Sequence, residues 1–271
     1  VDLAECPVLR PELFALLAPL RRLLGGLMRH RGKAGVQLAL ADQGVDVRLE
    51  GVAADRLESA EAVTDFARLH RLARLSLDDG HGVQPRWEPE PVTVTLGGVA
   101  VPLPAGAFLQ PTADGEAALR AAVRAAVDGA GTIADLFAGL GTFALPLSAM
   151  ARVYAAEGLP DMVLALKVAA GRAGRAVFAE HRNLFRRPLD ARELARFEAL
   201  VLDPPRAGAR EQMPALAASP VPRIAYVSCN PATFARDARL LVDGGYRLER
   251  ISPVGQFRWS THVELAAAFA R

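Results

Sequence analysis

The alternation of apolar strands with helices is clearest in residues 132–142, Thr-Ile-Ala-Asp-Leu-Phe-Ala-Gly-Leu-Gly-Thr. The apolar run ending at Phe137 predicts a buried strand. Gly139 and Gly141 then let the backbone turn tightly into a following helix and let a ligand approach closely. The segment therefore predicts a strand, a ligand-binding loop and a helix, in that order.

The sequence on both sides of this segment continues the same alternation from about Pro111 to the C-terminus. We predict helices at 113–127, 143–150, 160–171 and 232–242, and strands at 132–137, 152–156, 176–179, 199–202, 223–228, 246–254 and 263–269. Strands that alternate with helices at this spacing form a mostly parallel sheet covered on both faces. Since no helix separates the last two strands, we expect the final strand of this seven-stranded, Rossmann-like α/β sheet to run antiparallel.

The first hundred residues have a different pattern, which predicts a small α+β module without a chemical motif. Its predicted elements are a helix at 11–27, a hairpin at 36–49, a helix at 55–69, strands at 72–77 and 92–101, and a Pro-rich loop at 78–91. We therefore divide the chain into a domain of residues 1–105 and a second domain of residues 106–271.

Composition bounds the class of protein. The 271 residues include no apolar run near the about 20 residues of a membrane span. The two cysteines, Cys6 and Cys229, are too few for a disulfide framework, so we expect a reducing, cytoplasmic compartment. We also expect a monomer that does not contact membranes. The net charge of +2 is too small to indicate nucleic-acid binding by itself. The chain starts without Met or a signal peptide, which favours an internal starting point in a longer protein.

The glycine loop lacks the third glycine of a dinucleotide site, and Asp135 precedes it. Glu157 ends the next predicted strand about 20 residues further on, where an acidic side chain binds ribose hydroxyls. This combination favours S-adenosylmethionine over NAD as the cofactor. Asn183, just after the third strand, is placed either to meet an adenine edge or to serve as an ordinary loop residue.

Three further residues follow or begin predicted strands of the second domain. Asp203 ends the fourth strand and precedes two prolines, which make a rigid loop that presents its carboxylate or simply end the strand. Cys229 ends the fifth strand before Asn230-Pro231, where the amides of a helix N-terminus favour a thiolate, although a free cysteine is often only a buried apolar residue. Glu264 begins the last strand, where a buried carboxylate needs a purpose and an edge position would leave it exposed.

Together these residues resemble the RNA uracil-5-methyltransferase family, in particular its 23S ribosomal RNA branch. The matching motifs are Phe108-Leu109-Gln110-Pro111, 135–142, Asp203-Pro204-Pro205-Arg206-Ala207-Gly208, Ser228-Cys229-Asn230-Pro231 and His262-Val263-Glu264. The resemblance implies a class I S-adenosylmethionine-dependent methyltransferase fold with an RNA substrate. It also implies Cys229 as nucleophile and Glu264 as base, with cofactor and substrate contacts from Gln110, Phe137, Thr142, Glu157, Asn183 and Asp203.

The chain departs from this family at its N-terminus. Members usually carry an N-terminal oligonucleotide-binding (TRAM) domain, and many carry three upstream cysteines that hold a 4Fe-4S cluster together with a fourth. Cys6-Pro7-Val8-Leu9 resembles the segment of that fourth ligand, and the other three ligands are absent from this sequence. The chain is therefore interpreted either as part of a longer protein that binds the cluster or as a member that has lost it, and the first domain resembles the central domain that helps to form the RNA cleft.

Several activities fit part of this pattern. The leading hypothesis is methylation of uridine C5 in ribosomal RNA, with transfer RNA as the alternative substrate. A cytosine-5 methyltransferase shares the covalent chemistry but is expected to place its cysteine in a different motif. An amino-group methyltransferase would leave Cys229 and Glu264 without a role, and a non-enzymatic RNA-binding factor with a residual cofactor fold predicts damage at the catalytic positions.

Overall fold

The computed structural model describes residues 3–28, 32–257 and 259–271. These residues form two compact units. The first unit comprises the described residues up to Thr95 together with Pro102–Leu109, and the second comprises Leu96–Val101 and Gln110–Arg271.

The first unit is built around a four-stranded sheet with two longer helices. Its elements are α1 (Pro11–Phe14), α2 (Leu17–Leu27), β1 (Gly35–Ala41), β2 (Gly44–Glu50), α3 (Leu57–Leu69), β3 (Arg74–Asp78) and β4 (Val83–Trp87). The strand order is β1-β2-β3-β4, with β2 and β3 parallel and the outer pairs antiparallel. A core that includes Val47, Leu49, Val63 and Leu75 lies between the sheet and the helices.

Two predictions for this unit are wrong. The segment 78–91, predicted to be a loop, contains β4, which has Pro85 opposite Ser76. Because β4 is an edge strand, a residue without an N–H group is tolerated there. The single helix predicted at 11–27 is divided into α1 and α2. Pro19 explains this break, since in one continuous helix it could not donate a hydrogen bond to residue 15 and its ring would clash there.

The strand predicted at 92–101 is a hairpin of two strands, β5 (Thr93–Leu96) and β6 (Val99–Pro102). Gly97 and Gly98 form its turn with φ values of +56° and +78°. Two consecutive positive φ values are what a two-residue hairpin turn of type I′ requires. The paired glycines therefore reverse the chain where the sequence analysis extended one strand.

The second unit contains seven strands and six helices in its described residues, besides residues 96–101. They are α4 (Ala113–Ala126), β7 (Thr132–Leu136), α5 (Ala144–Leu147), β8 (Arg152–Glu157), α6 (Pro160–Arg172), β9 (Val177–His181), α7 (Ala191–Leu194), β10 (Ala199–Leu202), α8 (Met213–Ala217), β11 (Arg223–Ser228), α9 (Pro231–Asp243), β12 (Arg247–Val254) and β13 (Glu264–Ala270).

The seven strands form one sheet in the order β12-β13-β11-β10-β7-β8-β9. The pairings among β7 to β11 are parallel, whereas β13 runs antiparallel to both of its neighbours, β11 and β12. This confirms the predicted seven-stranded, mostly parallel sheet with an antiparallel last strand. In the described parts of the chain, no helix has the length and apolar character that crossing a membrane requires.

Candidate active site

The carboxyl ends of the parallel strands meet at one edge of the second sheet. Leu136, the last residue of β7, pairs with Ala156 of β8 and with Leu202 of β10. Phe137, Glu157 and Asp203 therefore leave the sheet at the same level. Ligands of open α/β sheets bind at this edge, so the fold places three of the predicted site residues where a ligand is expected.

The loop after β7 is held by the carboxylate of Glu157. Gly139 donates its backbone N–H to Glu157 Oε2 at 2.9 Å, and Leu159 donates its N–H to Oε1, also at 2.9 Å. Phe137 has a φ of +65° and donates its N–H to Ala156 O at 2.9 Å. Since a carboxylate has about four acceptor positions, Glu157 keeps lone pairs for hydroxyl groups of a ligand.

The two glycines of the loop meet different surroundings. A Cβ added at Gly141 would lie 2.6 Å from Leu166 Cδ1 of α6, so this glycine allows the loop to pack closely on the helix. A Cβ added at Gly139 would meet no other described atom within 4 Å. Gly139 therefore borders open space, and the partly buried Thr142 directly follows Gly141.

Asp135 is a functional candidate that the sequence analysis noted only as preceding the loop. It is fully buried, and neither of its carboxylate oxygens has a hydrogen-bond partner among the described residues. Burial, and after it the charge of Asp203, raises the pKa of Asp135 well above its usual range. The sequence contains a signal for Asp135, because it is an acidic residue within an apolar strand, and a buried carboxylate needs a hydrogen-bonding or charged partner.

Asn183 lies two residues beyond β9 and is exposed. Its Oδ1 accepts the backbone N–H groups of Phe185 at 3.1 Å and Arg186 at 3.2 Å, so the amide oxygen closes the local turn. The ring of Phe185 lies 5.4 Å from the ring of Phe137, measured between centroids. Phe185 thus adds a second aromatic side chain beside Phe137, and sequence reasoning did not identify it.

Cys229 directly follows β11, and Glu264 is the first residue of the neighbouring strand β13. Ser228 of β11 pairs with Leu265 of the antiparallel β13. Cys229 follows Ser228 in the chain and Glu264 precedes Leu265, so the two residues lie at the same end of this strand pair, where the Glu264 charge acts on the Cys229 thiol. Asn230 then caps α9 by accepting the N–H of Ala232 at 3.1 Å. The structure therefore brings the predicted nucleophile and the predicted base together.

The charges around Cys229 oppose the expected lowering of its pKa. Burial and the Glu264 carboxylate raise the pKa of the Cys229 thiol, while Arg206 acts in the opposite direction. The net change in the pKa is upward, opposite to the lowering predicted from the helix N-terminus, so that prediction is wrong. Burial also raises the pKa of Glu264. Asp203 has a pKa of about 7 because of burial and the nearby Glu264 charge.

The loop after β10 is fastened to the beginning of α9. Arg206 O accepts hydrogen bonds from Asn230 Nδ2 and from Thr233 Oγ1, both at 3.1 Å. Pro204 is buried and Pro205 exposed, in line with a rigid turn. The residues that flank Cys229 and those that follow Asp203 are thereby held in one arrangement.

A buried carboxylate, Asp237, reinforces the same connection. Its Oδ2 accepts the hydroxyl of Tyr226 at 2.6 Å and the backbone N–H of Ala209 at 2.8 Å. Its Oδ1 accepts Arg236 Nε at 2.8 Å, and the Arg236 guanidinium also donates to Ala207 O at 3.0 Å. With three donors, Asp237 is a satisfied buried ion that ties β11, α9 and the loop together.

Gln110 lies just before α4, and its Oε1 accepts a hydrogen bond from Gln256 Nε2 at 2.9 Å. Gln256 is 5 % exposed and lies between β12 and β13. Gln256 could not be recognised from the sequence, because a glutamine in a loop gives no indication that it is buried.

The two remaining candidates are Cys6, which belongs to the first unit, and His262, which belongs to the second. Cys6 Sγ accepts the N–H of Leu9 at 3.4 Å. Across the described ranges, no group of three or more His, Cys, Asp or Glu side chains is arranged to hold a metal ion. The role of Cys6 as a cluster ligand stays a prediction. His262 is exposed just before β13, and its ring packs edge-on against Phe257.

Comparison with known families identifies the second unit. Residues 100–271 match the model of the family described as tRNA (Uracil-5-)-methyltransferase. The chain belongs to this family of RNA uracil-5-methyltransferases. The match includes every candidate residue of the site, from Gln110 to Glu264.

Curated relatives extend the likeness of this uracil-5-methyltransferase family member to the first unit. An uncharacterized RNA methyltransferase of Zymomonas mobilis is 55% identical over 271 residues, covering 100% of this chain and 68% of its own length. The 23S rRNA (uracil(1939)-C(5))-methyltransferase RlmD of Edwardsiella ictaluri is 36% identical, covering 99% of this chain and 62% of its own. The chain thus spans about two thirds of the length of the curated relatives it matches.

Solved structures share the fold of this family member. The tRNA (uracil-54, C5)-methyltransferase of Pyrococcus abyssi, solved with S-adenosyl-L-homocysteine, superposes with a TM-score of 0.78 at 21% identity. It covers 100% of this chain and 69% of its own. TYW2 of Pyrococcus horikoshii, solved with MeSAdo, gives a TM-score of 0.58 at 15% identity, covering 93% of this chain and 98% of its own. These likenesses show a class I methyltransferase fold.

Proposed function

We propose that this chain is the methyltransferase part of an enzyme that transfers a methyl group from S-adenosylmethionine to C5 of a uridine in RNA. The observation that carries the proposal is that Cys229 and Glu264 lie at the same end of β11 and β13, where the charges of Glu264 and Asp203 both act on the Cys229 thiol. A thiol and a carboxylate at one ligand-binding edge are the two groups that this reaction needs.

The cofactor supplies an electrophilic methyl group on a sulfonium ion. The residues present fit such a group, because Gly139 borders open space and the buried Asp135 carboxylate has no hydrogen-bond partner among the described residues. Glu157, which is fixed by two backbone N–H groups, would bind the ribose hydroxyls. The other residues proposed to hold the cofactor and the base beside it are Gln110, Phe137, Thr142, Asn183 and Asp203.

Cys229 and Glu264 would act in sequence on the uracil ring. The Cys229 thiolate adds to C6, and the electron pair of the C5–C6 double bond moves to C5 and O4 as an enolate. C5 would then bond to the methyl group that the cofactor supplies, and the electron pair of the broken S–C bond would stay on the sulfur. Glu264 removes the C5 proton, and re-formation of the double bond expels the thiolate. This covalent route divides one difficult step into easier ones.

The raised pKa of Glu264 suits its proposed role as base, whereas the raised pKa of Cys229 opposes formation of the thiolate. A carboxylate with a raised pKa is a stronger base, which suits Glu264 for removing a carbon-bound proton. The negative charge of Glu264 also opposes ionisation of Cys229, so the thiol would lose its proton less readily while the Glu264 carboxylate is ionised. Arg206 offsets part of this repulsion.

Ribosomal RNA is the substrate that we propose. The Cys6-Pro7-Val8-Leu9 segment resembles a motif of the ribosomal branch, and a relative at 36% identity is named as a 23S rRNA methyltransferase. Transfer RNA is the alternative, because the matching family model and the Pyrococcus abyssi structure carry names for tRNA enzymes. A uracil in a stem is out of reach of the thiol, so the target base would be looped out or flipped.

A covalent trap tests this function. The chain is incubated with S-adenosylmethionine and RNA containing 5-fluorouridine, which has no C5 proton to lose after methyl transfer, and adducts that survive denaturant are counted. We expect an adduct with ribosomal RNA, none in Cys229→Ala, and an undiminished yield in the matched control Cys6→Ala. No adduct in the wild type, or an equal yield in Cys229→Ala, contradicts the mechanism.

Two further outcomes of the trap separate the alternatives. An adduct that forms only with 5-fluorouridine transfer RNA overturns the choice of ribosomal RNA and keeps the reaction. An adduct that forms only with 5-fluorocytidine RNA replaces uridine by cytosine as the target.

A further inference from the structure

The buried Gln256 amide has a defined orientation because one of its partners can only donate. Its Oε1 lies 3.2 Å from the backbone N of Thr112 and 3.4 Å from the Thr112 hydroxyl. A backbone N–H group has no acceptor capacity, so the atom that faces it must be the amide oxygen. The other end of the amide, Nε2, then necessarily faces Gln110.

The orientation of the Gln256 amide determines the orientation of the Gln110 amide. Gln256 Nε2 donates to Gln110 Oε1 at 2.9 Å, so the Gln110 amide must direct its oxygen toward Gln256. Among the described residues, neither N–H group on the opposite side of the Gln110 amide has a hydrogen-bond partner. The chain from the Thr112 backbone through Gln256 to Gln110 therefore makes Gln110 a hydrogen-bond donor toward any ligand that it meets.

The beginning of α4 is shaped to admit Gln256. A Cβ added at Gly115 would lie 2.6 Å from Cδ, Cγ and Oε1 of Gln256, so only glycine leaves room for the amide there. Thr112 caps the same helix by accepting the N–H of Gly115 at 3.1 Å. The cap and the glycine thus fix Gln256 in place.

Gln256 also lies in the segment that leads to β13, the strand that begins with the proposed base, Glu264. Val254, the last residue of β12, pairs with Glu264, the first residue of β13. Gln256 lies two residues into the segment that joins these strands. Its hydrogen bonds therefore fasten the beginning of this segment to the residues just before α4.

We propose that Gln256 is a positioning residue that orients the Gln110 amide, so that Gln110 donates a hydrogen bond to an acceptor atom of the bound cofactor. The proposal rests on the proposed function, because it takes Gln110 to be a cofactor-binding residue. Gln256 acts through Gln110 and has no contact with the reacting atoms in this scheme.

The substitution Gln256→Glu tests the proposal with little change in shape. A carboxylate can still accept from Thr112, but its second oxygen repels Gln110 Oε1. The Gln110 amide then turns, and one of its N–H groups is used by the new carboxylate. We expect the affinity for S-adenosylhomocysteine, measured by calorimetry, to fall roughly 5- to 10-fold, the value of one hydrogen bond. Gln84→Glu, an exposed site on β4, makes the same chemical change and should leave the affinity unaltered.

Two readouts distinguish positioning from general loosening of the fold. In the wild type background, Gln256→Glu should raise KM for S-adenosylmethionine while kcat at saturating cofactor stays within about twofold. In a Gln110→Ala background, Gln256→Glu should have no further effect on affinity, because its route to the cofactor is gone. If Gln256→Glu fails to fold, Gln256→Met, which removes the hydrogen bonds without adding charge, should still weaken binding in the wild type and not in Gln110→Ala.

The results separate this inference from the function on which it rests. A wild type that binds no S-adenosylhomocysteine overturns the proposed cofactor site itself. A wild type that binds, with unchanged affinity in Gln256→Glu or an equal loss in the Gln110→Ala background, overturns the positioning role alone.

Discussion

Cys229 and Glu264 influence each other's ionisation, and the sign of this effect can be measured. Glu264 raises the pKa of Cys229 and Arg206 lowers it, with burial as the largest cause of the net rise. Removing the negative charge in Glu264→Gln favours the thiolate, so the pKa of Cys229 should fall. Removing the positive charge in Arg206→Gln should raise it. The measurement is the rate of alkylation by iodoacetamide as a function of pH. It is made in a Cys6→Ser background, so that Cys229 is the thiol that reacts.

Alkylation of the parent protein should reach its half-maximal rate at a higher pH than for an ordinary thiol. The curve for Glu264→Gln should lie at lower pH than the parent, and the curve for Arg206→Gln at higher pH. Superposed curves for all three proteins would show that Cys229 does not sense these charges. The proposed coupling between nucleophile and base would then have to be abandoned.

The sequence identified the residues of this site better than it identified their environment. The positions of Cys229 and Glu264 relative to predicted strands were enough to expect them at one edge of the sheet. The direction of the Cys229 pKa shift was not predictable, because it depends on how burial and the charges of two neighbouring carboxylates compare with the positive charge of Arg206. Such a balance is decided by packing, which strand and helix patterns do not contain.

At the scale of elements, the loop between β7 and α5 offers a matched pair of glycines. Both have positive φ, +54° at Gly139 and +92° at Gly141, so alanine should cost about 1–2 kcal/mol of folding free energy at either position. At Gly141 the contact with Leu166 adds a further cost of about 1–3 kcal/mol. We expect Gly141→Ala to lower the unfolding midpoint more than Gly139→Ala, as measured by urea denaturation.

Ligand binding should rank the same two variants in the opposite way. The Cβ at Gly139 would enter the open space where the cofactor is proposed to lie, so Gly139→Ala should weaken S-adenosylhomocysteine binding at least about tenfold. Gly141→Ala, where it remains folded, should bind more tightly than Gly139→Ala. Equal binding of Gly139→Ala and wild type would show that this space is not the cofactor site.

The elements whose bounds the sequence predicted correctly include two short strands of consecutive buried residues. Strands β10 and β11 have the predicted bounds, 199–202 and 223–228, because all four residues of β10 and the last five of β11 are buried in the core. Helices α7 and α8, of four and five residues, were missed because a single turn is too short to show a helical period. Strand β4 was missed because Pro85 and its exposed neighbours resemble a loop unless the edge position is known.

At the scale of the whole molecule, each compact unit has its own buried core, and the proposed catalytic and cofactor residues from Gln110 to Glu264 all belong to the second unit. A ligand that binds only native protein stabilises it by RT ln(1 + [L]/Kd), about 2.7 kcal/mol at one hundred times Kd. If the cofactor site is complete within the second unit, this stabilisation should appear there and not in the core of the first unit.

Hydrogen exchange followed by mass spectrometry measures this difference. With S-adenosylhomocysteine at one hundred times Kd, amides of β7 and β10 should exchange up to about 100-fold more slowly, whereas those of β2 and β3 should be unaffected.

Asp46→Asn provides the reverse control, because it breaks the buried pair in which Arg74 donates to Asp46 at 2.7 and 2.9 Å. The loss of such a pair costs about 3–5 kcal/mol, so exchange in β2 and β3 should accelerate while the effect of the ligand on β7 and β10 persists. Equal protection of both cores by the ligand would mean that the cofactor site is not confined to the second unit.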